Sequence, residues 1–93
     1  MFTIPRLNVI ESDSGFSVEV LGRTGLLYVE GDHSLRVDAE LLARPAGLAI
    51  YSENIKNWQA PHAHESIDPA KKSQIIENIR AAFELRGFDI DVL

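Results

Sequence analysis

The chain has 93 residues and a mass of 10.3 kDa, which is room for one compact domain and not for two. Hydrophobic residues make up 45% of it and charged residues 25%, a balance that excludes a disordered chain and supports a modest core. The absence of cysteine removes disulfide scaffolds, thiolate metal sites and cysteine nucleophiles, and a formal net charge of −5 argues against nucleic acid as a direct ligand, because binding phosphates needs a surplus of cations.

The first half reads as strands. Residues 6–11 form a short first strand, followed by the turn chemistry of Ser12-Asp13-Ser14-Gly15. Phe16-Ser17-Val18-Glu19-Val20 alternates apolar and polar residues, the pattern of a sheet with one wet face. Gly22-Arg23-Thr24-Gly25 turns the chain into Leu26-Leu27-Tyr28-Val29-Glu30, and Gly31-Asp32-His33 turns it again into Ser34-Leu35-Arg36-Val37-Asp38. Connections this short join antiparallel neighbours. Residues 39–43 are expected to make one helical turn, broken by Arg44-Pro45-Ala46-Gly47, and Leu48-Ala49-Ile50-Tyr51 a strand buried on both faces. Ser52 is placed as the cap of a short helix that sets Ile55 and Trp58 on one side, and residues 59–67 have no periodicity and read as a loop.

The pattern is most regular over 69–86. Asp68 stands at an N-cap position and Pro69 at the first helical position, and Gly87 is the expected stop. Ile75, Ile76, Ile79, Ala82, Phe83 and Arg86 follow one-sided helical spacing, which leaves Lys71, Lys72, Glu77, Arg80 and Glu84 for solvent. Phe88, Ile90 and Val92 alternate with Asp89 and Asp91, so a last strand follows. The expected fold is α+β: a mostly antiparallel sheet of five to six strands, one long helix packed on one face, a final strand, and a single domain over residues 1–93.

The first residues carry no basic segment with a long apolar run behind it, and no stretch of about 18 apolar residues exists, so a cytoplasmic protein away from membranes is expected. Catalytic chemistry finds little support. No Gly-x-Ser-x-Gly elbow frames a nucleophile, and the glycine spacing at 22–25 is not that of a phosphate loop. The Asp38/Glu40 and Asp89/Asp91 pairs read as the wet side of strands. His62-Ala63-His64-Glu65 has the residue types of a metal site, but His33 is far away in sequence, and a solvated loop is the plainer reading. No enzyme, metal or cofactor is therefore expected. Trp58 reads first as a lid on the core and second as an interface anchor. Glu30 and Asp32 share a turn, and Glu53 and Glu65 flank Trp58. Grouped at one end of a sheet, such carboxylates steer and orient a basic partner protein.

The run Tyr28-Val29-Glu30-Gly31-Asp32 with Leu35 to Leu42 is followed by Gly47 to Ser52 and Ile55-Lys56-Asn57-Trp58. Then come Pro61, Ile67, Ile76-Glu77-Asn78-Ile79-Arg80-Ala81-Ala82-Phe83 and Gly87. In order and spacing this resembles the small immunity proteins of bacterial polymorphic-toxin and contact-dependent growth inhibition systems. The resemblance implies a cytoplasmic inhibitor that covers the active site of a toxin domain, or a surface next to it. It implies a toxin partner, and since many toxins of such systems are nucleases with basic clefts, it implies a basic nuclease, which the −5 charge fits. On chemical grounds Glu30, Asp32, Glu53, Trp58 and Glu65 are the expected partner contacts. Two alternatives remain at this point: a small metal-binding or enzymatic domain using His62 and His64, and a homodimeric module that pairs through residues 88–93.

Overall fold

The computed structural model describes residues 2–6, 8–22, 24–42 and 47–93. Among the described residues seven strands form one sheet in chain order: β1 (Phe2–Arg6), β2 (Val9–Ser12), β3 (Phe16–Val20), β4 (Gly25–Glu30), β5 (His33–Leu41), β6 (Gly47–Ile50) and β7 (Asp89–Val92). A 3-10 turn at Ser52–Asn54 and the helix α1 (Pro69–Glu84) lie between β6 and β7. Neighbouring strands are antiparallel from β1 through β6, and β7 returns parallel to β6 after the helical crossover. The architecture is the expected α+β arrangement.

Alternation builds the core. Val18, Leu26, Tyr28, Leu35 and Val37 point inward from consecutive strands, and α1 covers them with Ile75, Ile79, Ala82 and Phe83. Asp68 caps the helix by accepting a hydrogen bond from the Lys71 backbone N–H at 2.7 Å. Gly87, at φ +78°, takes the left-handed conformation that lets the chain leave the helix for β7. All four residues of β6 are buried, as their uninterrupted apolar character requires.

Several local expectations are corrected. The expected strand over 6–11 is divided between β1 and β2, which pair through Arg6 and Val9; Leu7 lies outside the described residues. This supplies the seventh strand. Pro5 is tolerated in β1 because an edge strand has one unpaired side. Residues 39–41 extend β5 and do not turn helically, because Ala39, Glu40 and Leu41 have backbone partners waiting in Ile50, Ala49 and Leu48 of β6. Ala43 and the break at 44–46 are outside the described residues. Ser52 does not cap its turn; its hydroxyl donates to the Leu93 carbonyl at 2.8 Å, and Tyr51 holds the cap position. Arg86 is exposed and falls off the apolar stripe, while Lys71, assigned to solvent, is half-buried.

One feature of β5 positions everything that follows. Its first part pairs with β4 and its last part with β6. After β6 the chain continues along the edge that β6 leaves open. The Tyr51 N–H donates to the Asp38 carbonyl at 2.9 Å, and the Gln59 N–H to the Ser34 carbonyl at 2.8 Å. The irregular segment 51–67 is thereby drawn toward the β4–β5 turn. It is held there by the Trp58 N–H donating to the Glu65 carbonyl, the Ile67 N–H to the Lys56 carbonyl, and a bridge between Asn57 and Ser66.

Candidate functional site

The β4–β5 turn and the 51–67 segment meet over a row of aromatic rings. Phe2 packs on Phe16 at 5.9 Å between centroids, Phe16 on Tyr28 at 5.8 Å, Tyr28 on Trp58 at 6.4 Å, Trp58 on His33 at 5.1 Å, and His33 on His62 at 3.7 Å. The row runs from partly buried Phe2 on the edge strand through the core at Phe16, Tyr28 and Trp58 and ends at the surface. Two polar clusters are fixed to it.

The inner cluster centres on Tyr28, whose ring is fully buried. Its hydroxyl donates to Glu30 Oε1 at 2.6 Å and accepts from Asn78 Nδ2 at 2.9 Å, and Lys71 Nζ binds the other oxygen of Glu30. Alternation along β4 places Tyr28 and Glu30 on one face, and Lys71 and Asn78 are seven residues apart on α1, two turns along one side. The cluster therefore joins sheet to helix. Burial first, and then the hydrogen bond to Glu30, raises the ionisation of Tyr28 far above the usual phenol range. Burial would by itself raise Glu30, but the hydrogen bonds from Lys71 and Tyr28 and the nearby positive charge outweigh it and hold this carboxyl below its ordinary value.

The outer cluster is a box of two imidazoles and two carboxylates. The rings of His33 and His62 stack at an interplanar angle of 14°. At one end His33 Nδ1 lies 2.8 Å from Asp32 Oδ1, and His62 Nε2 lies 3.4 Å from Asp32 Oδ2. At the other end His33 Nε2 lies 3.1 Å from Glu65 Oε1, and His62 Nδ1 lies 2.7 Å from Glu65 Oε2. Gly31, at φ +62°, makes the turn that brings Asp32 to its place. The hydrogen bond to Glu65 first, and that to Asp32 after it, raise the pKa of His33. The same bonds lower those of Glu65 and Asp32. The Asp32 side chain is 80% exposed and that of Glu65 41%, so the box stands at the rim.

Of the five residues expected at a partner surface, the structure brings four together. Asp32 and Glu65 form the two ends of the box, Glu30 sits beneath it in the inner cluster, and Trp58 supports it from the core. Trp58 is only 7% exposed, which fits the lid role and leaves little of the ring for outside contact. Glu53 is exposed and stands apart, on the 3-10 turn that runs beside β5. His64, paired with His62 in the sequence, is exposed and outside the box; His33 takes its place. His33, Tyr28, Lys71 and Asn78 were not singled out as site residues by sequence reasoning. The local signal for His33 was its position at a hairpin turn, but its pairing with Glu65 bridges two distant segments and leaves no spacing to read. A separate apolar cavity of about 260 Å³ lies at the opposite end of the β4–β5 hairpin, lined by Val20, Leu26, Ala39, Leu48, Phe83 and Phe88 among others.

Among the described residues the charged groups of the box stand at a rim, on the β4–β5 turn, the start of β5 and the 51–67 segment. A sequence model of the family described as immunity protein 74 matches residues 17–93. The chain belongs to that family. The match begins inside β3, so β1 and β2 lie before it. No curated protein and no solved structure matches the chain. No helix among the described residues is long and apolar enough to cross a membrane.

Proposed function

We propose that this immunity protein binds a cognate toxin domain and neutralises it by covering its active site or an adjoining surface, in the cytoplasm and without catalysing a reaction. The observation that carries this reading is the family match over residues 17–93. The rim supports it with chemistry. Asp32, Glu65 and Glu53 present carboxylates from segments that backbone hydrogen bonds hold in place, on a chain whose net charge is −5. A preformed surface of that sign steers a basic partner and fixes its orientation. A nuclease, with a cleft built to hold phosphates, is the class of toxin it suits. Glu30 and Trp58 act from below, by holding the turn and the His33 ring.

The test is binding and protection with the toxic polypeptide encoded beside this chain. A stable complex that weakens as salt rises is expected. Asp32→Lys and Glu53→Lys should each weaken it several-fold in affinity. Their urea melts should stay near that of the original protein. Full protection by both variants would remove the acidic rim from the contact. Failure of the unaltered protein to bind or protect would end the inhibitor reading.

A further inference from the structure

The outer box contains more carboxylate than neutral imidazoles can satisfy. All four ring nitrogens of His33 and His62 face carboxylate oxygens, at 2.7 to 3.4 Å. A neutral imidazole has one N–H and one lone pair. If each ring gives its N–H to Glu65, both lone pairs are aimed at Asp32, and lone pairs do not rest against a carboxylate unless positive charge lies between them. Two ring protons meet that need, and so does one divalent cation once the rings, stacked 3.7 Å apart at 14°, turn apart enough for the ion to lie in the plane of both.

The two ends of the box differ in the way a metal site requires. Asp32 Oδ, His33 Nδ1 and His62 Nε2 supply one carboxylate and two imidazole donors, all within 4.8 Å of one another. Asp32 is the most exposed of the four residues, so an ion has a path in and water can complete its coordination. Glu65 spans the far side of both rings and accepts their second nitrogens, at 3.1 and 2.7 Å. A carboxylate behind a ligating histidine fixes the tautomer and the ring direction. Here a single glutamate does so for two rings. Imidazole with carboxylate favours first-row transition ions over Mg²⁺ or Ca²⁺, which prefer all-oxygen shells.

We propose that Asp32, His33 and His62 form an open site for a divalent transition-metal ion, with Glu65 as the positioning residue behind both histidines. The ion ties the β4–β5 turn to the 51–67 segment, and it stands whether or not the rim also meets a toxin. His64, the partner that the sequence offered to His62, takes no part.

The test uses the untagged full chain, stripped with a chelator and titrated with Zn²⁺ at pH 7.5 by calorimetry, with Co²⁺ absorption as a second readout. One Zn²⁺ per chain is expected, with a melting temperature that rises with Zn²⁺ concentration and falls back on chelation. Asp32→Asn should lose affinity by roughly tenfold or more and His62→Gln at least as much, and Glu65→Gln should weaken binding by about tenfold through ring orientation. His64→Ala should bind as the original protein does. Asp32 is exposed enough that its variant folds, and circular dichroism of each variant checks this. The proposal is overturned by an unaltered protein that takes up no Zn²⁺ and melts at the same temperature with and without it, which would leave the box closed by protons only. It is equally overturned if Asp32→Asn and His62→Gln bind like the original, or if His64→Ala abolishes uptake.

Discussion

The inner and outer clusters share one aromatic row and are built from the same kinds of bond, yet they meet water very differently. Around Tyr28 a phenol, a carboxylate, an amide and an ammonium group satisfy one another under the cover of α1. Around His33 and His62 the groups are arranged as closely, but at the surface, on the β4–β5 turn with the first residue of β5 and on the irregular 51–67 segment. Desolvation raises the cost of leaving a group unpaired, so the inner cluster is bound up with folding. Solvent screens the outer one, so its geometry adds little stability and is available for recognition. Trp58 is the element common to both.

Removing that common element should have the largest effect. Trp58→Ala is expected to destabilise the fold by about 3–5 kcal/mol, since a large buried ring leaves a cavity that the sheet cannot fully close. A urea melt measures this. Loss of both tryptophan contacts, to Tyr28 and His33, should also release the His33–His62 stack, visible as a change in imidazole proton shifts. A melt changed by less than about 1 kcal/mol would mean that the two clusters are held independently of the row.

Tyr28→Phe isolates the inner cluster. The ring packing is kept and the hydroxyl is lost, which removes a bond to a charged acceptor and the acceptor for Asn78. About 1–2 kcal/mol of destabilisation is expected. Calorimetric melting of this variant, compared with one in the outer box, gives the difference between the regions directly.

The chain has two tyrosines, which makes an alkaline titration readable. Burial raises Tyr28 most, with Glu30 adding to it, and the hydrogen bond to Glu40 raises Tyr51. The folded state therefore holds both phenolic protons more tightly than the unfolded chain does. That contribution to stability is full below the ordinary tyrosine value and is lost as pH rises from there through the raised values of the folded state. Tyrosinate absorbance should lag behind free tyrosine near pH 10, with the Tyr28 portion appearing only as the protein unfolds. Ionisation of both residues at the free value would show that the inner cluster is open to solvent.

The same contrast explains what could be read in advance. Period-two alternation marked β3 and the first part of β5, the turns at 22–25 and 31–33 set off β4 between them, and the spacing of Ile75, Ile79, Ala82 and Phe83 with Asp68 and Gly87 marked α1, because those patterns are local. The extension of β5 over 39–41 was hidden, since only the later strand β6 supplies its partners. Lys71 looked like a solvated helix residue until the sheet brought Glu30 to it. Asp32 and Glu65 were legible as carboxylates near turns. Their joint hold on a histidine stack was not, because His33 and His62 come from segments that only the fold makes adjacent.

The smallest expected effect lies at the outer box in the absence of metal. Asp32→Asn removes a charge that faces both rings, yet the side chain is 80% exposed and its ion pairs compete with water. A small stability change is expected, comparable with that of Glu77→Gln, which breaks the exposed Glu77–Arg80 pair one turn along α1. The comparison is informative because only one of these exposed pairs lies above a stacked aromatic row. If Asp32→Asn costs no more than Glu77→Gln in a metal-free melt, the stack is held from beneath by Trp58 and the carboxylates serve what docks on them. If it costs as much as Tyr28→Phe, the outer box is part of the fold in the same sense as the inner cluster, and the division between them fails.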